Sequence, residues 1–360
     1  MRSPAGGSTL ITSAPCCARI RLASGPATTV VRSMTRTPSR TMIFLPFSAA
    51  AFRGSRFGSG WNRIRSRAMA CAGRGAKMST VRFGVTEPRR PGTVLVDATW
   101  FMPGAAAQTG AQLFDARRLA GAVYFDIDAV SDPTSALPHM APGAARFQRW
   151  LSAYGLSAEE SFIIYDQNSG FASARVWWTF LRFGLQARIL DGGFAAALKA
   201  GWQVETGPPP PRNEMPDADT SDRYAGMVMH DTTMSWADVL THSKAGDALI
   251  VDARPAGRFE GRDREPREGL ASGHIPGSVN LPFGALLDAD GRMKQGAALK
   301  RVLPDVDPAR RVVTTCGSGV TAAILYAAFA EVGFHDVWLY DGSWTEWAGR
   351  GDLPVATGPA

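Results

Sequence analysis

Four short apolar strands recur in the same order in the two halves of the chain. This repeat constrains the fold more than any other feature. Val94-Leu95-Val96-Asp97-Ala98 is matched by Leu249-Ile250-Val251-Asp252-Ala253-Arg254, and Ala122-Val123-Tyr124-Phe125-Asp126 by Gly277-Ser278-Val279-Asn280-Leu281. Phe162-Ile163-Ile164-Tyr165-Asp166 is matched by Val312-Val313-Thr314-Thr315-Cys316, and Ile189-Leu190-Asp191-Gly192-Gly193 by Trp338-Leu339-Tyr340-Asp341-Gly342. Asp166 and Cys316 stand 150 positions apart, as do Asp191 and Asp341. A repeat this long marks a duplicated domain rather than a solenoid, whose period is about 20–50 residues.

Fully apolar strands alternating with helical stretches indicate a mainly parallel sheet flanked by helices on both faces. The fold class is therefore α/β, with two tandem domains. Helices are expected at Ala144–Tyr154, Ser173–Phe183, Ser235–Ser243 and Thr321–Val332, and Ser157 and Ser235 read as helix starts. Gly207 and the four prolines after it open a stiff linker, 207–223. It separates a first domain, 79–206, from a second, 224–360.

Sites on such sheets form at the carboxyl ends of the strands. Cys316 holds that place in the second domain and Asp166 in the first. Cys316 opens Cys316-Gly317-Ser318-Gly319-Val320-Thr321, between an apolar strand and a helical run. A thiol at a helix N-terminus meets outward-pointing N–H groups and the positive end of the helix dipole. Both favour a thiolate nucleophile. The two glycines let the backbone curl so that several N–H groups face the sulfur. A small buried core cysteine would need no such loop. The first domain has no thiol at its loop, so its expected roles are structural support and a share of the cleft.

The net charge of +7 belongs to the first 78 residues, which hold thirteen Lys or Arg and no acid. The rest keeps 26 of the 39 basic residues against all 32 acids, a net of −6, which gives no electrostatic case for nucleic-acid binding. Residues 1–77 read as a disordered leader. Their composition fits either an organellar transit peptide or upstream sequence ahead of a true start at Met69 or Met78. The expected compartment is cytoplasmic, or mitochondrial if the leader is a transit peptide. The apolar stretch Met42–Phe52 is too short to span a bilayer, so no membrane partner is expected. Of the four cysteines, Cys16, Cys17 and Cys71 precede residue 78, which leaves Cys316 as the one thiol of the body. That suits a reducing compartment and offers no Cys/His spacing for a metal.

The loop from Cys316 to Thr321 resembles the active-site loop of the 3-mercaptopyruvate sulfurtransferases, two-domain members of the rhodanese superfamily. Gly273-His274-Ile275-Pro276-Gly277-Ser278 and Tyr340-Asp341-Gly342-Ser343-Trp344-Thr345-Glu346-Trp347 resemble the two signatures of that superfamily, and the likeness covers residues 90–355. Thiosulfate sulfurtransferases usually carry Arg and Lys directly after the cysteine, where this chain has Gly317 and Ser318. Related phosphatases need an arginine where this chain has Ala322.

The resemblance implies a sulfurtransferase that moves sulfur from 3-mercaptopyruvate through a Cys316 persulfide to a thiol, thioredoxin or cyanide, with release of pyruvate. It assigns Arg258 and Arg267 to the donor's carboxylate and carbonyl, and Asp128, His139 and Ser318 to a proton-transfer relay. Gly317, Gly319, Val320 and Thr321 would line the donor. It implies no cofactor and no metal, and a monomer or weak dimer. Arg254 reads as structural, as does His274, and Trp177 and Trp178 read as core and interdomain packing. The alternatives are a thiosulfate sulfurtransferase and a noncatalytic persulfide carrier.

Overall fold

A computed structural model describes residues 81–360 apart from 103, 169, 210–223, 225, 226 and 360. The leader and most of the expected linker lie outside the described residues. All described residues fall within one compact unit, Cys71–Ala360.

The strands of the first half are β1 (Arg82–Phe83), β2 (Val94–Asp97), β3 (Arg117–Leu119), β4 (Val123–Tyr124), β5 (Ser161–Tyr165), β6 (Gln186–Leu190) and β7 (Val204–Thr206). Five of them form a parallel sheet in the order β1-β6-β5-β2-β4, and β3 pairs antiparallel with β7 at its side. The second half contributes β8 (Leu249–Asp252), β9 (Val279–Asn280), β10 (Val312–Thr315) and β11 (Val337–Leu339), a parallel sheet in the order β11-β10-β8-β9. The order β6-β5-β2-β4 thus reappears as β11-β10-β8-β9. An isolated parallel bridge between Thr233 and Leu339 stands where β1 lies against β6.

Alternation within each strand explains why both faces are covered. Phe162 and Ile164 of β5 enter one apolar cluster, and Ile163 and Tyr165 enter the opposite one. In the second sheet Leu249, Val251 and Val312 face the first of these clusters, while Ile250 and Val313 face a third. The shared cluster therefore runs through both sheets. At its centre the helix Ser173–Arg182 packs on the helix Ala322–Glu331, with the rings of Trp177 and Tyr326 6.1 Å apart. A helix buried between its own sheet and a neighbouring domain can be apolar all round, and Ala322 through Ala330 are all buried. Trp178 is fully buried beneath the guanidinium groups of Arg175 and Arg182, 4.6 and 5.2 Å from its ring.

The expected helices are present at Ala144–Ala153, Ser173–Arg182, Trp236–Ala245 and Ala322–Glu331. Ser235 caps the third through an Oγ that accepts from the Asp238 N–H at 3.2 Å. Ser157 starts no helix. Its Oγ accepts from the Glu159 N–H and its own N–H donates to the Glu160 carboxylate, both at 3.2 Å. The capping chemistry is spent on a turn because β5 begins at Ser161, too soon for a helix to grow. Among the described residues no helix is long and apolar enough to cross a membrane.

Candidate active site

Cys316 follows the last residue of β10 and is 2% exposed. The helix Ser343–Gly349 holds its loop from behind: Trp344 N–H donates to the Cys316 carbonyl and Thr345 N–H to that of Gly317, each at 3.0 Å. The Cys316 N–H donates to Ser343 Oγ at 3.2 Å. With those carbonyls turned outward, the N–H groups of Gly317 through Thr321 donate to no protein acceptor among the described residues. Five successive free N–H groups at a helix N-terminus form an anion-binding concavity.

The first domain shows what such a loop accepts. Asp166 follows β5 directly, as Cys316 follows β10, and the N–H groups of Asn168, Gly170, Ala172 and Ser173 donate to its carboxylate at 2.7 to 3.3 Å. One carboxylate fills the first loop, while the second presents its donors around a thiol.

Gly319 has φ +81°, and a Cβ there would stand 2.8 Å from Asp341 Oδ1 and 2.9 Å from the Asp341 carbonyl. Only glycine fits. Gly317 has an ordinary backbone, but a Cβ on it would lie 3.1 Å from an Arg258 nitrogen. Arg258 therefore lies directly against the loop. Val320 is buried, and Thr321 opens the helix Ala322–Glu331 without a side-chain cap bond.

The charged groups divide into paired and unpaired sets. Asp252 binds Arg254, whose Nη1 donates to Glu265 at 2.7 Å, and Glu265 also accepts from Nε and Nη2 of Arg258. Arg254 additionally donates to the Gly273 carbonyl and lies 4.4 Å above the Trp344 ring, consistent with a structural role. This is a neutral chain of four alternating charges. Arg267 stands outside it: among the described residues it has no carboxylate partner, and its Nη2 is 3.5 Å from His139 Nε2. Burial and the neighbouring Arg258 lower its pKa, while Cys316 and Glu265 oppose that shift.

From the first domain, a segment carries His139 to the same place. His139 Nδ1 lies 2.7 Å from Asp128 Oδ1, and Trp100 Nε1 donates to Asp128 Oδ2 at 2.8 Å. The hydrogen bond with His139, and then that from Trp100, hold the Asp128 carboxyl below the usual carboxylate range against the opposing effect of burial. The Trp100 ring meets the imidazole edge-on at 4.9 Å. Asp128, His139 and Arg267 are thus brought together. Ser318 is nearly buried and, among the described residues, no hydrogen bond joins it to His139, so the three-residue relay is not closed. The Ser318 hydroxyl belongs to the loop, and His139 Nε2, at 3.5 Å, is only loosely in contact with Arg267 Nη2.

Sequence reasoning missed Trp100, Glu265 and the buried pair of Arg175 and Asp341. Arg175 was detectable as a charge within an otherwise apolar helix, which is rare without a partner. Glu265 carried no signal, because it sits in a run of alternating charges that reads as a solvated loop. His274 has the structural place expected of it: its Nδ1 lies 2.8 Å from the Phe259 carbonyl and its ring stacks on Phe259.

The rhodanese-like domain family matches residues 235–350. The 3-mercaptopyruvate sulfurtransferase of Escherichia coli K12 is 37% identical over 268 residues, covering 74% of this chain and 92% of that one. A probable 3-mercaptopyruvate sulfurtransferase of Schizosaccharomyces pombe is 39% identical over 279 residues, 74% of this chain and 91% of that one. The crystal structure of SseA from Escherichia coli, a 3-mercaptopyruvate sulfurtransferase of rhodanese fold, matches with a TM-score of 0.61 at 32% identity over 74% of this chain and 99% of that one. With its two parallel sheets and its single loop thiol, the chain belongs to the 3-mercaptopyruvate sulfurtransferase family of tandem rhodanese-like enzymes.

Proposed function

We propose that this enzyme takes sulfur from 3-mercaptopyruvate onto Cys316 as a persulfide and passes it to a thiol, thioredoxin or cyanide. The reading rests chiefly on one observation. The loop that binds the Asp166 carboxylate in the first domain has, in the second, N–H groups beside Cys316 that have no protein acceptor among the described residues.

In the first half-reaction the Cys316 thiolate attacks the donor sulfur. A sulfur–sulfur bond forms as the carbon–sulfur bond breaks, and the electron pair leaves on the pyruvate enolate. The proton of the donor thiol ends on the enolate carbon, with His139 as its carrier and Asp128 orienting the imidazole. The outer persulfide sulfur carries the negative charge, which the N–H groups of Gly317 to Thr321 stabilise without reorganising. In the second half-reaction the acceptor attacks that sulfur and the Cys316 thiolate leaves. Two steps through a covalent intermediate imply ping-pong kinetics.

Arg267 is the donor carboxylate's partner, since it is the cation of the cluster without a carboxylate of its own among the described residues. Arg258 contributes its remaining donor face beside Gly317. One uncompensated cation matches a monocarboxylate better than a dianion. Thiosulfate remains the second donor reading because the persulfide chemistry would be shared. The compartment follows the nature of residues 1–77: cytoplasmic if translation starts at Met69 or Met78, mitochondrial if they are a transit peptide.

The test is pyruvate release from 3-mercaptopyruvate with a thiol acceptor, beside sulfite release from thiosulfate with cyanide, for the wild type and Cys316→Ser. Intact mass is read after donor alone. Release of pyruvate, one added sulfur on the wild type, and neither in the variant are expected. A persulfide without turnover of either donor would replace the enzyme reading with a sulfur carrier.

A further inference from the structure

The catalytic loop and the His139 segment come from different domains, so something must fix their spacing. Arg175 in the helix Ser173–Arg182 is 2% exposed and touches both. Its Nη1 donates to the Gly319 carbonyl at 3.2 Å and to Asp341 Oδ1 at 2.6 Å, and its Nη2 donates to the His139 carbonyl at 2.5 Å. Asp341 completes the frame, because its Oδ2 accepts from the Ala141 N–H at 2.7 Å. His139 has φ +60°, a left-handed backbone uncommon for residues other than glycine. Bonds on both sides of it, to the His139 carbonyl and the Ala141 N–H, hold that conformation against relaxation. The planar guanidinium fork reaches three acceptors at once, which an ammonium on a flexible stem does not.

We propose that Arg175 is a positioning residue for sulfur transfer, locking the Gly319 carbonyl and the His139–Ala141 backbone into one frame with Asp341. The carbonyl of Gly319 is then held away from the sulfur, its loop N–H groups remain available, and His139 stays beside Arg267. The first domain thereby acts in the chemistry through a residue that touches no substrate. Arg258 and Arg267 form no hydrogen bond with Arg175 among the described residues, so donor binding and the positioning of chemistry separate. The inference rests on the persulfide reading above.

The test uses the full chain with Arg175→Lys, Arg175→Met and Arg175→Met/Asp341→Asn, and reads the thermal midpoint, kcat and KM for pyruvate release. Arg175→Lys keeps a buried cation opposite Asp341 and so remains folded. A small misplacement of reacting groups lowers rates by about 100-fold. We expect kcat of the Lys variant to fall about 10- to 100-fold with KM within about threefold of the wild type. The double variant, which leaves no unpaired buried charge, should regain the thermal midpoint lost in Arg175→Met but not kcat. The inference is overturned if a folded Arg175 variant keeps kcat within about twofold, if the loss lies in KM alone, or if the double variant recovers kcat with its stability. Wild type and Cys316→Ser run beside them. If the wild type releases no pyruvate, or Cys316→Ser still does, the persulfide reading fails and this inference with it; sound controls with an active Arg175→Lys sink this inference alone.

Discussion

Asp166 and Cys316 directly follow equivalent strands of the two sheets, yet of the two only Asp166 has the N–H groups of its loop bonded to its side chain. The first loop is thus a filled version of the second. In Asp166→Ala the N–H groups of Gly170, Ala172 and Ser173 lose their acceptor inside the protein. Unsatisfied buried donors cost about 1–3 kcal/mol each, less whatever water recovers. A total loss of about 3 kcal/mol is expected, read as a lower urea midpoint, with kcat of the folded fraction within about twofold because the residue lies outside the thiol loop. A midpoint equal to the wild type would show that the carboxylate is not what closes this loop.

Two glycines of the thiol loop should respond differently to the same added methyl group. Gly319→Ala needs a left-handed alanine and places its Cβ against Asp341 backbone and side chain. Gly317→Ala needs only that a flexible Arg258 side chain give way by a few tenths of an ångström. Loss of about 100-fold or more in kcat/KM is expected at 319, and less than about tenfold at 317. Equal losses would show that the loop tolerates or rejects both for some other reason. The same geometry bears on an arginine introduced at 317: it must displace Arg258 as well as add charge.

The sheets were legible because both faces of every central strand are buried, which writes an uninterrupted apolar run into the sequence; β2, β5, β8 and β10 all lie where such runs stand. Cys316 was legible because a glycine loop between strand and helix has few other uses. The supports of the site were not. Glu265 and Arg258 meet through a fold of seven residues, and Arg175 reaches its partners across 144 and 166 positions of sequence. Such pairings have no local period to betray them. Ser157 failed for the opposite reason, since its local capping signal is real but serves a turn.

Asp97 gives a stability test by pH. Burial pushes its pKa up to about 6, against the lowering effect of donors from Thr99 and Gln167. The ordinary carboxylate value is 3.8. Between the two values the folded state binds more protons than the unfolded state, so stability falls as pH rises through that window. Above about 6 the loss is complete and flat. Asp97→Asn removes this titration, so the variant should gain on the wild type by about 2–3 kcal/mol between pH 3.8 and pH 6. Urea midpoints at pH 4 and pH 7 check it, and parallel behaviour of the two proteins would refute the assignment.

Glu265 sets how much positive charge faces the thiol. It accepts from both Arg254 and Arg258, with a side chain only 3% exposed, and so cancels one of the two arginines beside the loop. Glu265→Gln keeps the shape and a hydrogen-bond acceptor but leaves Arg258 uncompensated. A second net cation near the donor strengthens the attraction of a dianion more than that of a monoanion, by Coulomb's law in proportion to charge. The kcat/KM of thiosulfate relative to that of 3-mercaptopyruvate should therefore rise about tenfold, a difference of about 1.4 kcal/mol. Sulfite and pyruvate release under matched conditions measure the ratio, and raising the ionic strength should reduce the gain by screening the exposed part of the field. An unchanged ratio in a folded variant would show that donor charge is read elsewhere, with Gly317 and Ser318 as the next positions to alter.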